Sequence, residues 1–176
     1  MPMLRHVDTA AGSIAYLDEG SGPLLLLVHG FPLDRTMWRE QMELADSYRL
    51  LIPDLPGFGQ SPSNRSVSHM VDFADDLAVL LDALGIDGSV VFCGLSMGGY
   101  VAWEFFARHR HRVSALILAD TRAANDTPEV ARARELMAER VLAEGVEPLV
   151  ASMLPKLFGR HATEVFPDRV AATRAV

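Results

Sequence analysis

The sequence predicts an α/β fold, a three-layer α/β/α sandwich around a mostly parallel sheet, and three observations carry that prediction. Short apolar runs alternate with helix-like segments, the order that produces parallel sheets. The run L-L-L-L-V, Leu24–Val28, has no polar alternation, as expected of a central strand buried on both faces. Finally, 176 residues with 49% hydrophobic and 22% charged content can bury one substantial core.

Each element follows from local signals. Residues 4–9 and 13–18 read as short strands ahead of Leu24–Val28. Asp34 can cap a short helix presenting Met37, Trp38, Met42 and Leu44 on roughly one side. Arg49–Pro53 supplies another buried strand and runs into D-L-P-G-F-G-Q-S, a glycine- and proline-rich loop. From Ser66 to Leu84, Met70, Ala74, Leu77, Leu81 and Leu84 follow helical spacing, and Gly85 sits where a helix-terminating glycine belongs. Residues 89–94 form a strand, 97–109 a helix, and Val113–Ala119 a third apolar strand. After Asp120 the character changes. Thr127 and Pro128 start a highly charged helix towards Gly145, and a second begins near Val146 and is interrupted by Pro155. The expected organisation is a core over residues 1–121 and a partial helical cap over 122–176.

Charge and composition exclude several classes. Sixteen basic against twenty-three acidic residues give a formal charge of -7, with no like-charge tail, so nucleic acid and anionic membranes are not expected partners. The single Cys93 cannot form an internal disulfide, the opening residues lack the apolar core of a signal peptide, and no run approaches a membrane span. A cytoplasmic setting is expected. Neither a metal nor a cofactor is expected, because no ligand-spaced His/Cys/Asp cluster and no phosphate-binding G-x-x-x-x-G-K-[ST] loop occurs.

The chemistry centres on C-G-L-S-M-G-G-Y, residues 93–100. Gly94-Leu95-Ser96-Met97-Gly98 fits G-x-S-x-G, in which a nucleophilic serine occupies a strained turn between strand and helix and small neighbours relieve the resulting clash. The following helix directs backbone N–H groups towards developing negative charge, which makes Met97 N–H one expected oxyanion donor. The loop after Leu24–Val28 carries H-G-F-P and offers Phe31 N–H as the other.

With H-G-F-P at 29–32, D-L-P-G-F-G-Q-S at 54–61 and G-L-S-M-G-G at 94–99 in this order, the chain resembles the α/β-hydrolase superfamily of serine hydrolases. The likeness covers residues 4–120, and the later helices resemble the start of the cap that many members insert there. The resemblance implies Ser96 as nucleophile, a structural His29 bracing its turn, a small ester or lactone as substrate, and A-D-T-R-A-A-N-D-T-P-E, residues 119–129, at the entrance to the lid. It also implies the order serine, acid, histidine, with the histidine after a final strand.

That order leaves this sequence without an obvious base. His109 and His111 read as solvated residues at a helix end, His6 and His69 as ordinary surface positions, and His161 as a lid residue. Asp120 stands where a minority of the family draws its acid, with a capping or loop role as the other reading; Asp54 reads as a turn residue and Cys93 as core. Trp38 and Met97 could line an acyl pocket or simply pack. The sequence is therefore expected to be the N-terminal part of a serine hydrolase whose remaining strands, acid and histidine lie elsewhere, in a C-terminal companion chain or a lost segment. The apolar strand Val113–Ala119 would then be an exposed edge open to pairing or homo-oligomerisation. The alternative is a catalytically inactive protein of the same fold that binds an acyl ligand or self-associates.

Overall fold

The computed structural model describes residues 2–9 and 12–176; Met1, Ala10 and Ala11, which fall inside the expected core segment, lie outside the described residues. Six strands form one sheet in the order β1-β2-β4-β3-β5-β6. They are β1 (Arg5–Thr9), β2 (Gly12–Glu19), β3 (Leu24–Val28), β4 (Arg49–Pro53), β5 (Val90–Leu95) and β6 (Val113–Ala119). The β1–β2 and β2–β4 pairs are antiparallel, and β4, β3, β5 and β6 run parallel to one another.

The unbroken apolar runs of β3, β4 and β5 are explained by the two-residue period of a strand, which sends alternate side chains to opposite faces. Leu26, Val28, Leu51, Val90 and Phe92 project to one face. There they pack with Phe73, Leu77 and Leu81 of α1 (Met70–Ala83) and Val101 and Phe105 of α2 (Met97–Arg108). Leu25, Leu27, Leu50, Ile52 and Cys93 project to the other, where Trp38 covers them. Trp38 belongs to Arg35–Asp46, which is a 3-10 helix capped by Asp34, whose carboxylate accepts from Thr36 N–H at 2.8 Å. Apolar positions three and four apart fit either kind of helix, so the sequence does not distinguish them.

Two further boundaries differ from the sequence reading. The helix expected from Ser66 starts at Met70, because His69 serves as its cap and its N–H donates to the Asp72 carboxylate at 2.7 Å. Pro155 does not interrupt its helix: α4 (Glu147–Leu157) continues past it into the last turn.

By its internal contacts the chain divides into two compact units, Met1–Arg122 and Ala123–Val176. The second contains α3 (Pro128–Glu144), α4, α5 (Arg160–Val165) and α6 (Pro167–Arg174). Among the described residues, none of these four helices has a fully buried side chain. Among the described residues, no helix is long and apolar enough to cross a membrane.

Candidate active site

The sheet order places a crevice at the site. From β3 the chain leaves through the 3-10 helix to β4, on one side of β3, and then crosses through α1 to β5, on the other side. The loops after β3 and β5 thus diverge to opposite faces at their carboxyl ends, the topological switch point where ligands of open α/β sheets bind. Val28 and Gly94 are paired across the two strands, so the H-G-F-P loop and the serine turn emerge side by side.

Ser96 sits between β5 and α2 with φ 51° and ψ -108°, a strained conformation for a residue with a side chain. Three glycines accommodate that turn. A methyl group on Gly94 would lie 2.2 Å from Gly98 O, one on Gly98 would lie 2.4 Å from Val28 O, and one on Gly99 would lie 2.5 Å from the Thr121 side chain. A methyl group on Gly30 would approach Ser96 Cβ to 3.4 Å, which puts the H-G-F-P loop directly against the serine. Met97 opens α2, where N–H groups have no intrahelical acceptor. Among the described residues no acceptor meets the Phe31 N–H, while the Phe31 ring is 41% exposed and stands edge-on to Phe58.

His29 is fully buried behind this loop. Its Nε2 accepts from Leu55 N–H at 3.0 Å; because an amide can only donate, the ring proton is on Nδ1, which donates to Gly30 O at 3.2 Å. The imidazole therefore bridges the H-G-F-P loop and the loop after β4, with both nitrogens engaged. Burial holds its pKa below the ordinary 6.5, against smaller opposing effects of the Gly30 carbonyl and the Asp54 and Asp34 charges. A depressed histidine pKa gives stability that is complete above the unfolded value and is lost as pH falls below it, because the unfolded chain takes up a proton that the folded chain refuses. Denaturant titrations from about pH 8 to about pH 5 are expected to show stability declining below about pH 6.5, with a shallower decline in His29→Gln. Equal declines in the two proteins would remove His29 as the titrating group.

Comparison with known proteins agrees with the fold. The sequence pattern described as alpha/beta hydrolase fold matches residues 23–169. The chain belongs to the alpha/beta hydrolase fold family. It is 43% identical over 126 residues to Epoxide hydrolase 2 of Siraitia grosvenorii, covering 66% of this chain and 39% of that protein. Thus it spans about two fifths of that relative's length. A thermophilic esterase from Thermogutta terrifontis, solved with malate bound, superposes with a TM-score of 0.90 at 44% identity, over 98% of this chain and 65% of that one. The enol-lactonase from Burkholderia xenovorans LB400 gives a TM-score of 0.89 at 29% identity, over 98% of this chain and 66% of its own.

In this alpha/beta hydrolase the remaining candidates are placed as follows. Trp38 is 7% exposed and packs among Leu25, Leu27, Leu50, Ile52 and Cys93, the surroundings of a core residue; its Nε1 meets no acceptor among the described residues. Burial also raises the Cys93 pKa, which keeps the thiol protonated. Asp120 is exposed, directly follows β6 and has φ 43°. His109 closes α2 and its Nε2 lies 2.8 Å from the Asp75 carboxylate, whereas His161 lies in α5 edge-on to Phe166. Among the described residues no imidazole is hydrogen-bonded to Ser96 Oγ, and no group of His, Cys, Asp and Glu could hold a metal ion.

Two residues with clear roles were not anticipated from sequence. Arg35 donates its N–H to Asp54 at 2.8 Å and pairs its guanidinium with the same carboxylate. Thr121 donates its hydroxyl to Ser96 O at 2.9 Å. The first had a signal in the charge pair flanking the two loops, while the second depends on strand order and had none.

Proposed function

We propose that this alpha/beta hydrolase cleaves a small carboxylic ester or lactone through an acyl-enzyme on Ser96. The observation that carries the reading is a serine, not a carboxylate, on the strained turn at the head of α2, with Gly30 of the H-G-F-P loop against it; Phe31 N–H and Met97 N–H are the donors this reading assigns. Ser96 Oγ would attack the carbonyl carbon, giving up its proton to a base while the carbonyl oxygen becomes anionic between those two N–H groups. Collapse would expel the alcohol, and water would then release the acid.

The identity of the nucleophile favours acyl substrates over epoxides, despite the epoxide hydrolase among the relatives. Opening an epoxide with a serine hydroxyl would leave an ether, which water does not cleave under mild conditions. A carbonyl substrate leaves an ester, which it does. The esterase and enol-lactonase names of the two solved structures support the same choice. The reading also calls for a histidine base and an acid that the described residues do not bring to Ser96.

The test is labelling by a fluorophosphonate probe together with hydrolysis of p-nitrophenyl butyrate. Together with the segment that supplies the histidine and the acid, the protein is expected to label and turn over, and Ser96→Ala to lose both, turnover falling by about a thousandfold or more; these 176 residues by themselves are expected to show little of either. Persistence of turnover in Ser96→Ala would sink the acyl-enzyme; no labelling even with the histidine and acid supplied would favour a non-catalytic, acyl-binding role.

A further inference from the structure

A peptide unit is planar, so the carbonyl of one residue and the N–H of the next turn together. Ser96 C=O and Met97 N–H share one such plane, and whatever holds the carbonyl aims the N–H. Ser96 O accepts from Gly99 N–H at 3.0 Å and Tyr100 N–H at 3.4 Å, both from the helix itself. It also accepts the Thr121 hydroxyl at 2.9 Å, from outside the helix.

Thr121 is fitted closely to that position. Gly99 leaves the space that its side chain fills, since a methyl group there would meet both Thr121 Cγ2 and Oγ1 at 2.5 Å. The same stretch also holds the preceding plane, because Ser96 N–H donates to Ala119 O at 2.9 Å. Both peptide planes flanking the strained serine are thereby fastened to the segment from Ala119 to Thr121.

Resting on the acyl-enzyme reading, we propose that Thr121 is a positioning residue for the oxyanion. Its hydroxyl fixes the tilt of the Ser96–Met97 peptide and polarises it, so that Met97 N–H donates more strongly to the negative charge that develops in the transition state. Thr121 hydrogen-bonds the Ser96 carbonyl rather than its hydroxyl and acts through the backbone. The effect belongs to the transition state and is expected in kcat, with KM little changed.

The test compares Thr121→Val, which keeps the shape and removes the donor, with Thr121→Ser, which keeps the donor. On p-nitrophenyl butyrate, with the segment supplying the histidine and acid present, Thr121→Val is expected to lower kcat by roughly tenfold to a hundredfold, and Thr121→Ser to retain most of it. In NMR spectra without substrate, the Ser96 carbonyl carbon is expected to shift upfield in Thr121→Val and to stay in place in Thr121→Ser. An unchanged kcat in Thr121→Val, even with a lowered Tm, would overturn the proposal and leave Thr121 as a loop anchor. Equal losses in both variants, or an unmoved carbonyl resonance, would overturn it as well. Absence of Ser96-dependent turnover in the unaltered protein, with the histidine and acid supplied, is a separate result: it removes the acyl-enzyme and the oxyanion role with it, while the NMR comparison still reports on the hydrogen bond.

Discussion

Asp54→Ala is expected to destabilise the protein by about 3–5 kcal/mol, the cost of removing one partner of a buried ion pair. The Asp54 side chain is fully buried, and that of Arg35 is 13% exposed. The carboxylate also accepts from Arg35 N–H and Gln60 N–H, each at 2.8 Å. Alanine would strand a guanidinium and two amides in a region that water cannot readily reach. It would also loosen two loops together, since Asp54 belongs to the loop after β4 and Arg35 follows H-G-F-P. The Asp54 backbone carbonyl accepts from Ser61 Oγ, which in turn accepts from Ala15 N–H, so β2 is part of the same network. Urea denaturation of Asp54→Ala and Asp54→Asn tests this. The asparagine variant, which keeps an acceptor for one amide, is expected to lose less. A loss below about 1 kcal/mol in the alanine variant would show that the network does not hold the loops.

Gly98→Ala is expected to cost about 3 kcal/mol or more, at the upper end for an overpacked site, because the new methyl group would meet backbone on the neighbouring strand. The atoms it would strike are Val28 O at 2.4 Å and His29 O at 2.8 Å, and neither can swing aside as a side chain would. Relief requires α2 to lift away from β3, which opens the packing of Val101 and Phe105 against the sheet. The same displacement would carry the Ser96 turn away from the H-G-F-P loop. Gly88→Ala is the matched control, as nothing lies within 4 Å of a methyl group there. It is expected to stay within about 0.5 kcal/mol of the unaltered protein. Thermal unfolding of the two variants side by side decides the point, and a Gly98→Ala protein as stable as Gly88→Ala would refute the close approach.

What was legible in the sequence follows the range of the interactions. The strands could be read because their two-face burial leaves unbroken apolar runs, and α1 because its buried positions repeat at helical spacing. The serine turn could be read because its strain demands glycines at fixed offsets. Boundaries fixed by single hydrogen bonds were less visible. The start of α1 depends on His69, whose imidazole does not announce a cap, while Ser66 and Ser68 are the residue type that usually does. Thr121 was hidden for a different reason. It reaches Ser96 only because β6 lies beside β5, and nothing local to A-D-T-R encodes that neighbour. The Arg35–Asp54 pair is intermediate, since both charges are visible but their meeting needs the β3–β4 pairing.

The place of β6 at the end of the sheet has a consequence for the serine in solution. β6 pairs only with β5 among the described strands, and Ile117 and Leu118 are 48% and 36% exposed. Outermost strands open more readily than central ones, and each opening exposes their amides to exchange with solvent deuterium. Because the Ser96 amide is protected by Ala119 O at the end of this strand, it should exchange in step with β6 and faster than the amides of β3. The strained serine therefore shares the protection of β6, and its isotope-exchange rate gauges how firmly that side of the sheet is closed, whether β6 is left open or covered by a further strand.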